Sequence, residues 1–175
     1  GVHLASASAY LDLTLPVVRY RVHGIHEDQR GRIVTPNRLI AKVSRLEVAT
    51  KFFSPPPERL LESLVDAGDI TEGQARLAKR IPVAQDITAE ADSGGHTDNQ
   101  SALALIPTLM ALRDQIQERH GYRQTLRVGA AGGISTPISA AAALSMGAAY
   151  ILTGSINQAC VEAGTSDIVR KMLAD

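Results

Sequence analysis

The stretch "RVGAAGGISTPISAAAALSMGAAYILTGS", Arg127 to Ser155, sets the fold of this chain. It opens as a short apolar strand, breaks at Gly132-Gly133, and passes through Pro137 into an alanine-rich helix. A second apolar strand follows and ends at Gly154-Ser155. This order belongs to parallel β-structure, where a crossover helix returns the chain to the start of the next strand. The strands lack polar alternation, as expected when both of their faces are covered.

The same order extends toward the amino end. "VHLASAS" reads as a strand already under way, followed by a helix in "AYLDLTLPVVRYRVHG" whose Leu13, Val17, Val18 and Val22 share roughly one face, with Gly24 as its stop. "EDQRGR" is a turn, and "RLIAKVS" after Pro36 is a second buried strand. Next comes a helical insertion: "EVATKFF", the stop "SPPP", "ERLLESLVDAG" ended by Gly68, and "TEGQARLAKRI" capped by Thr71, with a helical hairpin over about residues 52–82. "DITAEA" is another strand, and "SALALIPTLMALRDQIQERHG" is a long amphipathic helix interrupted at Pro107. "SDIVRKMLAD" closes the chain as a helix. About five strands result, and the class is α/β: an α/β barrel, whose closed form has eight strands, or a doubly wound sheet.

With 175 residues, 45% of them hydrophobic, the chain can build one domain with a real core. Its 18 basic residues balance 18 acidic ones, which excludes broad attraction to nucleic acid or to an anionic membrane. Cys160 is the only cysteine, so an internal disulfide and a cysteine-rich metal site are excluded and a reducing compartment, the cytoplasm, is expected. No apolar run reaches the ~18 residues of a membrane span.

In parallel barrels the loops after the last two strands commonly hold a phosphate on backbone N–H groups and a helix N-terminus. Gly132 and Gly133 supply one such set of donors here, and Gly154 and Ser155 the other. Neither loop has the G-x-G-x-x-G spacing of a dinucleotide fold, and no glycine loop ends in the Lys-Ser or Lys-Thr of a P-loop. A third glycine loop lies in "EADSGGHTDN", Glu90 to Asn99. Gly94-Gly95 lets a flat ligand approach closely, and His96 follows at the end of its strand, where barrels gather catalytic groups. An imidazole there can donate or accept a proton near neutral pH. Asp92, Asp98 and Asn99 can orient the ring, or Asp98 can cap the next helix near Ser101.

Other candidates are weaker. His3, His23, His26 and His120 are scattered without zinc-ligand spacing, so no metal site is expected. Lys42 lies inside a strand and faces either the barrel mouth or an outer edge. "RYR", Arg19 to Arg21, reads as a solvated helix face, and Cys160 as a packed thiol.

Four blocks, "AKVSRLEVATKFFSPPP", "EADSGGHTDN", "RVGAAGGISTP" and "AAYILTGSINQACVEAGTSD", resemble the PfaD-like trans-acting enoyl reductases of polyunsaturated fatty acid and polyketide synthases. These lie within the nitronate monooxygenase (2-nitropropane dioxygenase-like) group of FMN-dependent barrels. That group usually places a glutamate and a small residue before Gly-Gly-His; here Asp92 and Ser93 stand there. The resemblance implies a (β/α)8 TIM-type barrel, of which residues 1–175 form a C-terminal portion with the first strands missing. It implies FMN, with its phosphate at the two C-terminal glycine loops and its ring near Gly94, Gly95 and His96. NADPH is then the reductant, and the substrate is an enoyl thioester on an acyl carrier protein. His96 either hydrogen-bonds the thioester carbonyl or supplies a proton. Alternatives within that reading are oxidation of alkyl nitronates with FMN and oxygen, or a non-catalytic docking module of a synthase. The helical insertion is a lid, a docking face for the carrier, or decoration on the barrel rim.

Overall fold

The computed structural model describes residues 3–8, 13–92 and 98–174. Its main sheet contains β1 (His3–Ser8), β4 (Asn37–Val43), β5 (Asp86–Glu90), β6 (Arg127–Ala131) and β7 (Ile151–Leu152), all parallel and paired in chain order. A small antiparallel ribbon of β2 (His26–Glu27) and β3 (Ile33–Val34) lies beside it, its turn closed by Asp28 accepting from the N–H groups of Arg30 and Arg32. The turn was legible in the sequence; the two short strands flanking it were not.

Strand order separates the two candidate folds. Parallel crossovers are right-handed, so strictly sequential strands lay every crossover helix on the same face. A doubly wound sheet reverses its order part-way and carries helices on both faces. Here the order never reverses, and the sheet is a curled part of a (β/α) barrel. Helices α1 (Leu15–Val22), α2 (Leu46–Phe53), α5 (Ala102–His120) and α6 (Pro137–Ser145) pack against its strands. The core between them holds Leu39, Ala41 and Val43 of β4, Ile87 and Ala89 of β5, and Val128 and Ala130 of β6. Beyond β7, α7 (Ser155–Gln158) and α8 (Asp167–Ala174) follow, where Val161, Ile168 and Met172 are exposed.

Three local readings change. The helix of "EVATKFF" is α2, the crossover helix between β4 and β5 rather than part of an insertion, because Val48, Ala49, Phe52 and Phe53 are all buried in the core. Pro107 does not interrupt α5, which runs unbroken from Ala102 to His120. Proline removes one backbone donor, and here Leu105, Ile106, Leu109 and Ile116, all buried, anchor the helix on both sides of it. Arg21 is not solvated: it is 2% exposed, and its guanidinium donates to the carbonyls of Pro82 and Asn37 at 3.2 and 2.6 Å. It thus ties the end of α1 to the start of β4 and to the segment that leads into β5. Burial, with Arg38 nearby, lowers its pKa to about 10.

Helices α3 (Glu58–Asp66) and α4 (Glu72–Ala78) fill the segment between α2 and β5, and Thr71 caps α4 in a reciprocal box with Gln74. Their place follows from two hydrogen bonds. Ala84 N–H donates to Phe52 at 2.8 Å and Val83 N–H to Ser54 at 3.0 Å, so the end of α2 already lies beside the start of β5. The segment therefore leaves and re-enters at the strands' N-terminal ends, where α3 and α4 also contact α1. A barrel mouth opens at the opposite, C-terminal ends, which rules out the lid.

Candidate active site

The rim of the sheet is set by strand register. Glu90 of β5 is level with Ala131 of β6, and Ala131 is level with Leu152 of β7. One residue further, β6 enters Gly132-Gly133, and two residues beyond Leu152 lie Gly154-Ser155. The two glycine loops thus emerge side by side from neighbouring strands. Gly132 has φ +95°, and a Cβ there would sit 2.4 Å from the Ala91 carbonyl oxygen, so only glycine lets β6's loop lie against the end of β5. Gly133 and Gly154 are open instead: a Cβ on Gly133 meets only the Asp92 oxygen at 3.8 Å, and on Gly154 nothing within 4 Å. Ser155 begins α7, which Thr153 and Asn157 pin by mutual side-chain bonds.

Gly94, Gly95 and His96 lie in residues 93–97, outside the described residues. The base of their loop is defined. Asp92 N–H donates to the Gln100 carbonyl at 2.9 Å, Ala91 N–H to Ala131 at 3.0 Å, and Ser44 Oγ to Asp98 at 2.5 Å. Asp98 therefore binds the end of β4 to this loop. It does not cap α5, whose N-cap is Ser101 without a side-chain bond. Asn99 takes a left-handed φ of 54°.

The strands' second face, opposite the helices, is polar. Since Ala41 and Val43 belong to the helix-side core, Lys42 points the other way. Its register partner is Thr88, and its Nζ donates to Glu90 Oε1 at 3.1 Å. Lower on the same face, Arg127 makes a two-pronged bond to Asp86 at 2.6 and 2.9 Å, which raises the Arg127 pKa. Tyr150 reaches across β6 to bond Thr88 Oγ1 at 3.0 Å. It can do so because Gly129 has no side chain: a Cβ there would come within 2.2 Å of the ring. Burial raises the Tyr150 pKa to about 12. At neutral pH this wall therefore combines a neutral phenol with two ion pairs.

Sequence reasoning missed Glu90, Thr88 and Tyr150 and left Lys42 undecided. Parity along "RLIAKV" and "DITAE" was the available signal, plain in the alternation of "DITAE". Cys160 is corrected as well: it is exposed in this structure rather than packed. Among the described residues no group of three or more His, Cys, Asp or Glu is placed to hold a metal. No helix among them is long and apolar enough to cross a membrane.

No family model matches the chain. It is 51% identical over 176 residues to a polyunsaturated fatty acid synthase component of Thraustochytrium sp., covering 99% of this chain and 12% of that protein. It is 51% identical over 172 residues to the polyketide biosynthesis protein PksE of Bacillus subtilis, covering 98% of this chain and 22% of that protein. The crystal structure of the enoyl reductase domain of MlnA, from the macrolactin biosynthesis cluster of Bacillus amyloliquefaciens, superposes with a TM-score of 0.91 at 47% identity, over 98% of this chain and 38% of that one. Over nearly its whole length the chain is thus similar to a segment of polyunsaturated fatty acid synthase and polyketide biosynthesis proteins and to part of a solved enoyl reductase domain. It spans less than a quarter of either curated relative. The resemblance drawn from the four sequence blocks to enoyl reductases of such synthases holds, and so does the barrel class.

Proposed function

We propose that this chain is part of an FMN-dependent enoyl reductase that reduces the 2,3 double bond of enoyl thioesters carried on acyl carrier protein, with NADPH as reductant. The observation that carries the reading is the 47% identity, over nearly the whole chain, to a domain solved as an enoyl reductase. The residues present fit the cofactor. Open backbone at Gly133 and Gly154 leaves room for an anionic group, and the polar wall at the same level offers donors to a flat heteroaromatic ring.

In this reading the amides of Gly132, Gly133, Gly154 and Ser155 hold the phosphate, and Gly94 and Gly95 let the ring approach the backbone. FMN held there would supply the hydride chemistry, with NADPH as the source of reducing equivalents, for reduction at the β-carbon of the thioester. A proton must then reach the α-carbon, and between the two the thioester oxygen carries enolate charge. His96 meets that need by hydrogen-bonding the oxygen or by delivering the proton, and stabilising such charge is often the largest catalytic term. The protein itself binds, orients and excludes water.

The test is the absorbance of the full-length protein. Visible flavin colour, anaerobic bleaching by NADPH and reoxidation by a carrier-bound enoyl thioester are expected, and His96→Ala should lose turnover while keeping FMN. Rapid nitronate turnover with oxygen and no nicotinamide requirement would replace this reading with nitronate oxidation. A colourless protein that takes up no FMN yet binds carrier protein would make it a docking module.

A further inference from the structure

The inner wall carries two ion pairs at different heights. Asp86 and Arg127 stand at the starts of β5 and β6, where two parallel bonds satisfy both groups. Lys42 and Glu90 stand at the other end, one residue before the end of β4 and at the last residue of β5. Register places Glu90 level with Ala131 and Leu152, the residues that lead into the Gly132-Gly133 and Gly154-Ser155 loops. Lys42 and Glu90 therefore border the same layer of the hollow as the open glycine amides. Both side chains are largely shielded, at 30% and 17% exposure. An ammonium has three donors, and the bond to Glu90 engages one of them.

We propose that Lys42 faces the ring end of the mononucleotide whose phosphate lies at the glycine loops, and that Glu90 is a positioning residue that holds the ammonium and offsets its charge. The inference rests on the flavin reading above. Its physical content is a difference between oxidation states. A paired ammonium acts weakly on a neutral oxidised ring but attracts the negative charge that arises on reduction, and in a shielded hollow that attraction is little screened. Glu90 limits it, so the pair sets how strongly the reduced form is favoured.

The two halves of the pair should therefore act with opposite sign. In the full-length protein, Lys42→Met leaves the Glu90 charge alone in the wall and should weaken binding of reduced FMN about tenfold relative to oxidised FMN. Glu90→Gln leaves the ammonium uncompensated and should shift the ratio the other way by a similar factor. For a two-electron couple, tenfold is about 30 mV in midpoint potential. The double variant should return near the wild-type ratio, and Lys42→Arg, which keeps the charge, should stay near it even if Lys42→Met folds poorly. A pair that only supports the fold would lower stability and flavin content in both variants and leave the ratio alone. Shifts of the same sign, or none, in variants that hold FMN overturn this inference and spare the flavin reading; a wild-type protein that takes up no FMN overturns both.

Discussion

The two faces of one sheet differ more than any two separate parts of this molecule. Along β4, Leu39, Ala41 and Val43 look toward the helices and are buried, while the next residue in each case looks inward, and one of these is Lys42. Along β5, Ile87 and Ala89 are core, while Asp86, Thr88 and Glu90 hold the polar contacts. A one-residue step along the strand thus separates groups that stabilise from groups suited to chemistry. The outer face is satisfied by packing with any apolar residue of the right volume. The inner face depends on particular pairs of atoms, and each pair joins different strands or the residues beside them.

If that division is right, the largest stability loss should come from the outer face. Phe53→Ala empties a fully buried site between α2 and the sheet and also disturbs the turn where Tyr122 Oη donates to the Phe53 carbonyl at 2.9 Å. About 3–5 kcal/mol of unfolding free energy should be lost in a denaturant titration of the full-length protein. A loss below 1 kcal/mol would break the comparison. Gly129→Ala probes the inner face by overpacking: the added methyl must displace the Tyr150 ring and break its bond to Thr88, at a cost of about 1–3 kcal/mol. Far from both faces, Thr71→Ala removes the α4 cap, which should cost about 1 kcal/mol and leave any bound flavin's absorbance unchanged.

Tyr150 also gives the inner face a pH signature. Its pKa is raised from 10.0 to about 12 in the fold, so the unfolded chain loses this proton first as pH rises. The stability it contributes is complete below pH 10 and is lost on the way to about 12. Midpoints for wild type and Tyr150→Phe should therefore converge over that window; a constant gap would assign the tyrosine's contribution to packing alone. The smallest effect belongs to Gly154→Ala. Open space surrounds that position, so stability should change by less than about 0.5 kcal/mol while affinity for FMN falls, as read by fluorescence titration.

Several features could be read before any coordinates. Glycine or proline breaks bracket most of the long elements, and α3, α4 and α5 fall close to where Thr71, Gly68 and Gly121 place their ends. A parallel sheet follows from apolar strands alternating with helices, while its curl became plain only from the strand order. The glycine loops after β6 and β7 stood out because two adjacent strand ends carried the same unusual residue. Harder to read were Arg21, which looked solvated between Tyr20 and Val22, and Cys160, which looked packed beside Ala159. In both cases the neighbours in sequence are not the neighbours in space.

The amino-acid order alone determined the succession of the longer strands and helices, and with it the α/β class, because local periodicity and chain breaks act over a few residues. Only the tertiary structure decided which way Lys42 points, what Tyr150 leans on and at which pole α3 and α4 sit. The first two rest on contacts between residues 48 and 62 positions apart, Lys42 with Glu90 and Thr88 with Tyr150, and the third on the bonds of Val83 and Ala84 to the end of α2. Alternation along "DITAE" marks two faces of that strand, but it does not say which residues of other strands meet there.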